Sequence, residues 1–295
     1  MTSGTAAVTV FGSLHYDITV QSPARPRKGE TVTGHSWRPK FGGKGRNQAV
    51  AAARVGVRTL MVGTVGDDQF GREMLADLDA HGIDRRFVRV AEGAGSGMSV
   101  AIFDAEGDYG AVIVSGANLT LSPADVAAAS ALWPETAVLV LQNEVPDEAN
   151  LAAARAARQA GASVILNAAP ARAMPDDLAP LVDVLVVNAI EAAAMCGVTE
   201  PASIEEAMAA ARRLARDFPA AVVTAGSAGV AYAARSDELL IPARAVKVES
   251  THGAGDEFVG HLAASLARGA PIQAALAAAN DAAARLVATP EHLRR

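Results

Sequence analysis

Six short runs of continuous apolar residues, separated by Ala-rich stretches of helical period, restrict this chain more than any other feature. They are Val8-Thr9-Val10-Phe11, Thr59-Leu60-Met61-Val62, Ala137-Val138-Leu139-Val140-Leu141, Ser163-Val164-Ile165-Leu166, Val184-Leu185-Val186-Val187 and Ala221-Val222-Val223-Thr224. A strand this apolar has no wet face, so it must be covered on both sides, as in a parallel sheet. Between the runs, 70–82, 148–161 and 204–218 read as helices, and the first two close on glycine. Strand-helix alternation predicts a doubly wound α/β fold, a mostly parallel sheet with helices on both faces. At 295 residues and 51% apolar, the chain can build one large core, and a single domain over 1–295 is expected. Ligands of such a fold collect at the carboxyl ends of the strands.

Two stretches break the alternation. Thr19–Phe41 and Ser96–Val114 are strand-like and carry no helical period. In the second, Met98, Val100 and Ile102 share one face while Ser99 and Ala101 share the other. Asp104-Ala105-Glu106-Gly107-Asp108 reads as the turn of a hairpin. The residues alone suggest a surface hairpin packed on the core.

A net charge of −6 with scattered acids suits neither nucleic acid nor an anionic membrane surface. The single cysteine, Cys196, excludes an intramolecular disulfide and reads as a small buried hydrophobe. No run approaches the roughly 18 apolar residues of a membrane span. The start of the chain lacks a basic segment followed by an apolar one, so a cytoplasmic protein is expected.

Two glycine-rich motifs carry chemistry. Gly253-Ala254-Gly255-Asp256 opens an apolar helix. A helix N-terminus offers orphan N–H donors and a partial positive charge, a ready site for an anion. A carboxylate in the same turn suits phosphoryl transfer, with amides holding phosphoryl oxygens and Asp256 taking the proton of an attacking hydroxyl. By itself an Asp there is more often a cap. Far upstream, Gly42-Gly43-Lys44-Gly45-Arg46-Asn47-Gln48 opens a second, Ala-rich helix. Lys44 and Asn47 lie three apart, on one face of its first turn. No Gly-x-Gly-x-x-Gly follows the first strand, and no Gly-x-x-x-x-Gly-Lys-Ser/Thr occurs, which argues against a dinucleotide oxidoreductase and a P-loop kinase.

Together these motifs resemble the carbohydrate kinase family that contains ribokinase, fructokinase and adenosine kinase. The resemblance runs through Phe11-Gly12-Ser13, Lys28-Gly29-Glu30-Thr31-Val32-Thr33-Gly34, Gly63-Thr64-Val65-Gly66-Asp67-Asp68, Gly116-Ala117-Asn118, Asn167-Ala168-Ala169-Pro170-Ala171 and Thr224-Ala225-Gly226-Ser227-Ala228-Gly229. It implies an ATP-dependent sugar kinase of ribokinase type, acting on the hydroxymethyl group of ribose or a related sugar. Nucleoside kinase and sugar-phosphate kinase are alternatives within the family, and a non-catalytic sugar or nucleotide sensor lies outside it. The stretches 19–41 and 96–114 would form a small β-sheet lid over the sugar and a homodimer contact.

The resemblance also assigns residues. Asp256 would be the base, and the amides of Gly253, Ala254, Gly255 and Asp256 the anion hole. His15, Asp17, Gly42, Gly43, Asn47 and Glu144 would face the sugar, with Asp17 at the carboxyl end of the first strand. Lys44 would orient the sugar or neutralise transferred phosphate, unless it is a solvated surface lysine. Asn188 and Glu191 would serve Mg²⁺ and the ATP phosphates, partly through water; their spacing is equally that of a capping box. Thr224, Gly226, Ser227 and Gly229 would line the nucleotide loop, and Asn280 would lie beside adenine.

Three departures stand out. His15 replaces an Asn that holds the sugar in ribokinases. Ser250 replaces an Asp that helps bind a monovalent cation, as in the phosphofructokinase branch. Only 39 residues follow Asp256 in a chain of 295, and the segment that completes the cation site has no visible counterpart. Potassium activation is therefore not expected.

Overall fold

The computed structural model describes residues 6–294; residues 1–5 and 295, included in the expected single domain, lie outside the described residues. The chain runs β1 (Ala7–Phe11), β2 (His15–Gln21), β3 (Ser36–Gly42), α1 (Lys44–Arg54), β4 (Thr59–Gly66), α2 (Gln69–Ala80), β5 (Asp84–Ala91), β6 (Met98–Phe103), β7 (Tyr109–Val114), α3 (Pro123–Ala128), β8 (Thr136–Gln142), α4 (Asp147–Gln159), β9 (Ser163–Asn167), β10 (Val184–Asn188), α5 (Ala189–Cys196), α6 (Ile204–Leu214), β11 (Ala220–Thr224), β12 (Gly229–Ala234), β13 (Glu238–Pro242), α7 (Ala254–Ala267) and α8 (Ile272–Val287).

One sheet has the order β13-β12-β11-β10-β9-β8-β1-β4-β5, parallel throughout except at β12 and β13. Its strands explain their own composition. In β8, Leu139 and Leu141 join Phe11, Leu166 and Val187 on one face, against Ala153 and Ala157 of α4 and Met208 and Leu214 of α6. Val138 and Val140 join Val8, Val10, Ile165 and Val186 on the other, against α1, α2, α7 and α8. Alternate side chains point to opposite faces, and both faces are buried. Each fully buried Leu or Val contributes roughly 1.5–3 kcal/mol.

The helix pair α1 and α7 matters most for function. A Cβ added at Gly260 would stand 2.5 Å from the carbonyl oxygen of Gln48 and 2.9 Å from the Ala52 nitrogen. Only glycine permits that approach. It brings the first turns of the two helices, and with them both glycine motifs, to one place.

A second sheet, β3-β2-β6-β7, stands apart. The 104–108 turn closes the β6–β7 hairpin, with the Asp104 N–H donating to the Asp108 carbonyl at 2.9 Å. Tyr16 fastens this sheet to α2: its ring stacks on Phe70 at 4.3 Å and its hydroxyl donates to Glu73 at 2.7 Å. The first stretch expected to be strand-like, 19–41, is corrected here. Its strand begins earlier, at His15, and residues 22–35, rich in Pro, Arg and Gly, carry no strand.

Candidate active site

Strand order reverses around β1, which has β4 on one side and β8 on the other. That is the switch point at which open α/β sheets hold ligands. Ser13 and Leu14 follow β1, and Glu144 follows β8. One Glu144 oxygen accepts from the Ser13 hydroxyl and from the Lys44 N–H at 2.9 Å. The other oxygen has no protein partner among the described residues. Gly43 caps α1.

Asp17 is not at the end of the first strand. It lies within β2, paired across the small sheet with Lys40 of β3 and Ser99 of β6. The Ser99 hydroxyl donates to one of its oxygens. A Cβ at Gly42 would stand 2.9 Å from the Asp17 Cγ, so Gly42 makes room for the carboxylate. His15 is buried, 5% exposed, and its Nε2 has no hydrogen-bond partner among the described residues.

Asp256 occupies the first turn of α7, behind Gly253, which caps the helix in the left-handed region at φ 79°. The Asn47 Nδ2 donates to one Asp256 oxygen and the Gln48 Nε2 to the other, both at 3.0 Å. Burial pushes the Asp256 carboxyl above its ordinary value; nearby Glu144 adds to this, while Lys44, Asn47 and Gln48 oppose it. Lys44, partly buried, is close enough for its charge to lower the Glu191 carboxyl as well as that of Asp256. The expected anion hole is trimmed by one donor. The Ala254 N–H turns to the Thr251 carbonyl at 3.2 Å, and among the described residues the N–H groups of Gly253, Gly255 and Asp256 have no backbone partner.

Gln48 has a second task. It receives the Gln142 amide at 2.8 Å and donates to Asn167 at 3.0 Å, a buried polar chain running beneath the site. Gln48, Gln142 and Asn167 were not expected among the site residues. The signal was present in Gln48, a fully buried polar side chain on an otherwise Ala-lined helix.

Asn188 and Thr224 are register partners at the carboxyl ends of β10 and β11. The Asn188 side chain accepts from the Glu191 N–H and Glu191 accepts from the Asn188 N–H, both at 2.9 Å, so the capping box is formed. One Glu191 oxygen stays outside that box. Burial raises the Glu191 carboxyl, with Asp256 adding to the effect. Gly226 and Ser227 form an exposed turn before Gly229 opens β12. Asn280, on α8, gives its amide N–H to the Pro242 carbonyl at 3.0 Å, which anchors β13.

The pfkB family carbohydrate kinase profile matches residues 5–292. The chain belongs to the pfkB family of carbohydrate kinases. It is an ATP-dependent sugar kinase. It is 38% identical over 277 residues to the ribokinase of Bacillus subtilis, covering 94% of this chain and 91% of that one. To a deoxyribokinase of Salmonella typhi it is 32% identical, with 91% and 88% covered. The structure of Arabidopsis thaliana ribokinase complexed with ribose and ATP superposes with a TM-score of 0.89 at 28% identity, covering 96% of this chain and 93% of that chain.

For a kinase of this family the metal donors are sparse. Among the described residues, no three His, Cys, Asp or Glu side chains converge on one point. Glu191 with a spare oxygen, close in charge to Asp256, fits Mg²⁺, which keeps its waters and leans on substrate phosphates. No helix among the described residues is long and apolar enough to cross a membrane.

Proposed function

We propose that this kinase phosphorylates the hydroxymethyl group of ribose, deoxyribose or a closely related sugar. The observation that carries this reading is the Asp256 carboxylate at the start of α7, gripped by Asn47 and Gln48 beside three N–H groups without a backbone partner among the described residues. The likeness to ribokinases and a deoxyribokinase supports the substrate class.

Asp17 and Glu144 accept hydrogen bonds from the sugar hydroxyls, and His15 Nε2 and Asn47 complete the pocket, with Gly42 and Gly43 giving it room. Two carboxylates hold a neutral sugar and repel one already phosphorylated. The sugar hydroxyl oxygen attacks the γ-phosphorus, and its bond to phosphorus forms as the bond to the β–γ bridging oxygen breaks, releasing ADP. Asp256 takes the hydroxyl proton. The N–H groups of Gly253, Gly255 and Asp256 and the Lys44 ammonium meet the growing charge on the phosphoryl oxygens. Glu191 and Asn188 would hold Mg²⁺ through water; bound there, it neutralises phosphate charge. Thr224, Gly226, Ser227 and Gly229 cradle the nucleotide, with Asn280 near the base.

The domain works as one unit with the β3-β2-β6-β7 sheet as a lid that excludes water from the donor. Tyr109, Val112, Ile113 and Trp37 on that sheet are each more than 60% exposed, a surface suited to a second copy of the chain, so we infer a homodimer through the lid. A single buried thiol suits the cytoplasm. The test of substrate class is ADP release across pentoses, ketohexoses, nucleosides and sugar phosphates, with Mg²⁺ supplied and then chelated. Preference for ribose or deoxyribose with loss of rate on chelation is expected; preference for a sugar phosphate would overturn the assignment.

A further inference from the structure

The loop leading into the Gly253 turn is held from the far end of the chain. The Glu249 and Ser250 N–H groups donate to the Val287 carbonyl at 2.8 and 3.3 Å. Arg294 then lays its guanidinium on three carbonyls: Nε on Thr289 at 2.9 Å, Nη1 on His252 at 2.7 Å and Nη2 on Ser250 at 2.7 Å. Glu291 accepts from the Ser250 hydroxyl at 3.0 Å and reaches β3 of the lid through Arg38 at 3.4 Å and Lys40 at 3.7 Å. Of these residues, Arg38, Lys40, His252, Glu291 and Arg294 line a cavity of about 450 Å³ that also borders Gly253 and Asp256.

The geometry has a consequence for the anion hole. The His252 carbonyl and the Gly253 N–H belong to one planar trans peptide and point in opposite directions. A charge-assisted bond that pins the carbonyl to Arg294 therefore also aims the Gly253 N–H, one of the three donors free at the start of α7. Bonding to Ser250 fixes the peptide before Thr251, whose carbonyl holds Ala254. Arginine suits this task, since its planar fork reaches several acceptors at once and stays charged.

We propose that Arg294 is a positioning residue for phosphoryl transfer, an internal cation that sets the 250–253 backbone, and that Glu291 ties the lid to the same loop. The proposal rests on reading the start of α7 as the γ-phosphoryl site.

The test compares wild type, Arg294→Ala, Arg294→Lys and Glu291→Gln at saturating ATP and sugar. Arg294→Ala is expected to lose about 10- to 100-fold in kcat, with the sugar KM within about twofold, as for a misplaced catalytic group. Lysine should recover only part. Guanidinium chloride at a non-denaturing, roughly 20 mM concentration should raise the Arg294→Ala rate at least about threefold while leaving wild type unchanged, a rescue that a merely structural loss would not show. Glu291→Gln should raise the sugar KM more than it lowers kcat. An Arg294→Ala kcat within about twofold of wild type, or a loss that guanidinium does not relieve, overturns the proposal. Wild type that phosphorylates no sugar would sink the kinase reading instead. In that case hydrogen exchange decides: the Glu249 and Ser250 amides should exchange at least about tenfold faster in Arg294→Ala, and unchanged exchange overturns the positioning role.

Discussion

A single methyl group at residue 42 separates sugar recognition from the rest of the enzyme. Gly42→Ala places a Cβ 2.9 Å from the Asp17 Cγ and closer still to one carboxylate oxygen. Carbon atoms prefer about 3.5–4.0 Å, so the Asp17 carboxylate must withdraw by roughly 1 Å. The clash is with the end of a side chain, so the fold should survive. Asp17 would lose its alignment with the Ser99 hydroxyl and with the sugar. A hydrogen bond to a charged group is worth about 1.5–3 kcal/mol, and two weakened bonds give a loss of roughly 2–4 kcal/mol. At 1.4 kcal/mol per tenfold, kcat/KM for the sugar should fall about 30- to 1000-fold. The ATP KM should stay within about threefold, since the residues assigned to the nucleotide lie on β10 to β12 and α8. Initial-rate measurements varying each substrate, with a thermal melt of both proteins, test this. An unchanged sugar KM in a folded Gly42→Ala protein would refute the role of Asp17; an equal loss for both substrates would refute the separation.

Other outcomes follow from the same geometry. Asp256 must be ionised to act as base, and its carboxyl is raised by burial, so kcat should fall with acid at a pH above the ordinary aspartate value of about 3.9. A pH-rate profile whose acid limb sits at or below that value would contradict it. The sign for stability is opposite: a raised carboxyl contributes most when protonated, and that contribution is lost as pH rises through its folded pKa. Titrating KCl at constant ionic strength should change the rate less than about twofold, because Arg294 already occupies the Ser250 and His252 carbonyls. A saturable tenfold rise specific to K⁺ over Na⁺ would show a cation site after all. Ile113→Glu, at an exposed apolar position on β7, should shift light-scattering mass from dimer to monomer without reducing kcat more than about threefold; an unchanged mass would discard the lid as the dimer contact.

Much of the parallel sheet was legible because burial on both faces leaves a mark at every residue. Val138 to Leu141 are apolar without alternation since odd and even positions meet different helices. Strands with one solvent face left weaker marks. β5, Asp84–Ala91, carries three arginines on one edge, and β13, Glu238–Pro242, alternates exposed and half-buried residues on the other, so neither was expected; the buried antiparallel β12 between β11 and β13 was missed as well. The small sheet misled at β2. His15, Tyr16 and Asp17 follow the first apolar run so closely that Asp17 reads as its carboxyl end, whereas the chain leaves the large sheet at Gly12 and enters the small one three residues later. Asp256 and Asn47 were visible as motif residues, yet their mutual hydrogen bond depends on the approach of α1 to α7. The part played by Glu291 and Arg294 was not legible, because contacts across more than 40 residues leave no local pattern.

The measurement that bears most directly on the central claim is turnover by Asp256→Asn. The amide keeps the shape and the contact with one of the two donors, Asn47 or Gln48, but cannot take a proton. Sugar and ATP affinities are expected to stay near wild type by calorimetry, with kcat in the ADP-release assay reduced by about 10²-fold or more. A folded Asp256→Asn protein turning over at a rate near wild type would contradict the assignment of Asp256 as the base.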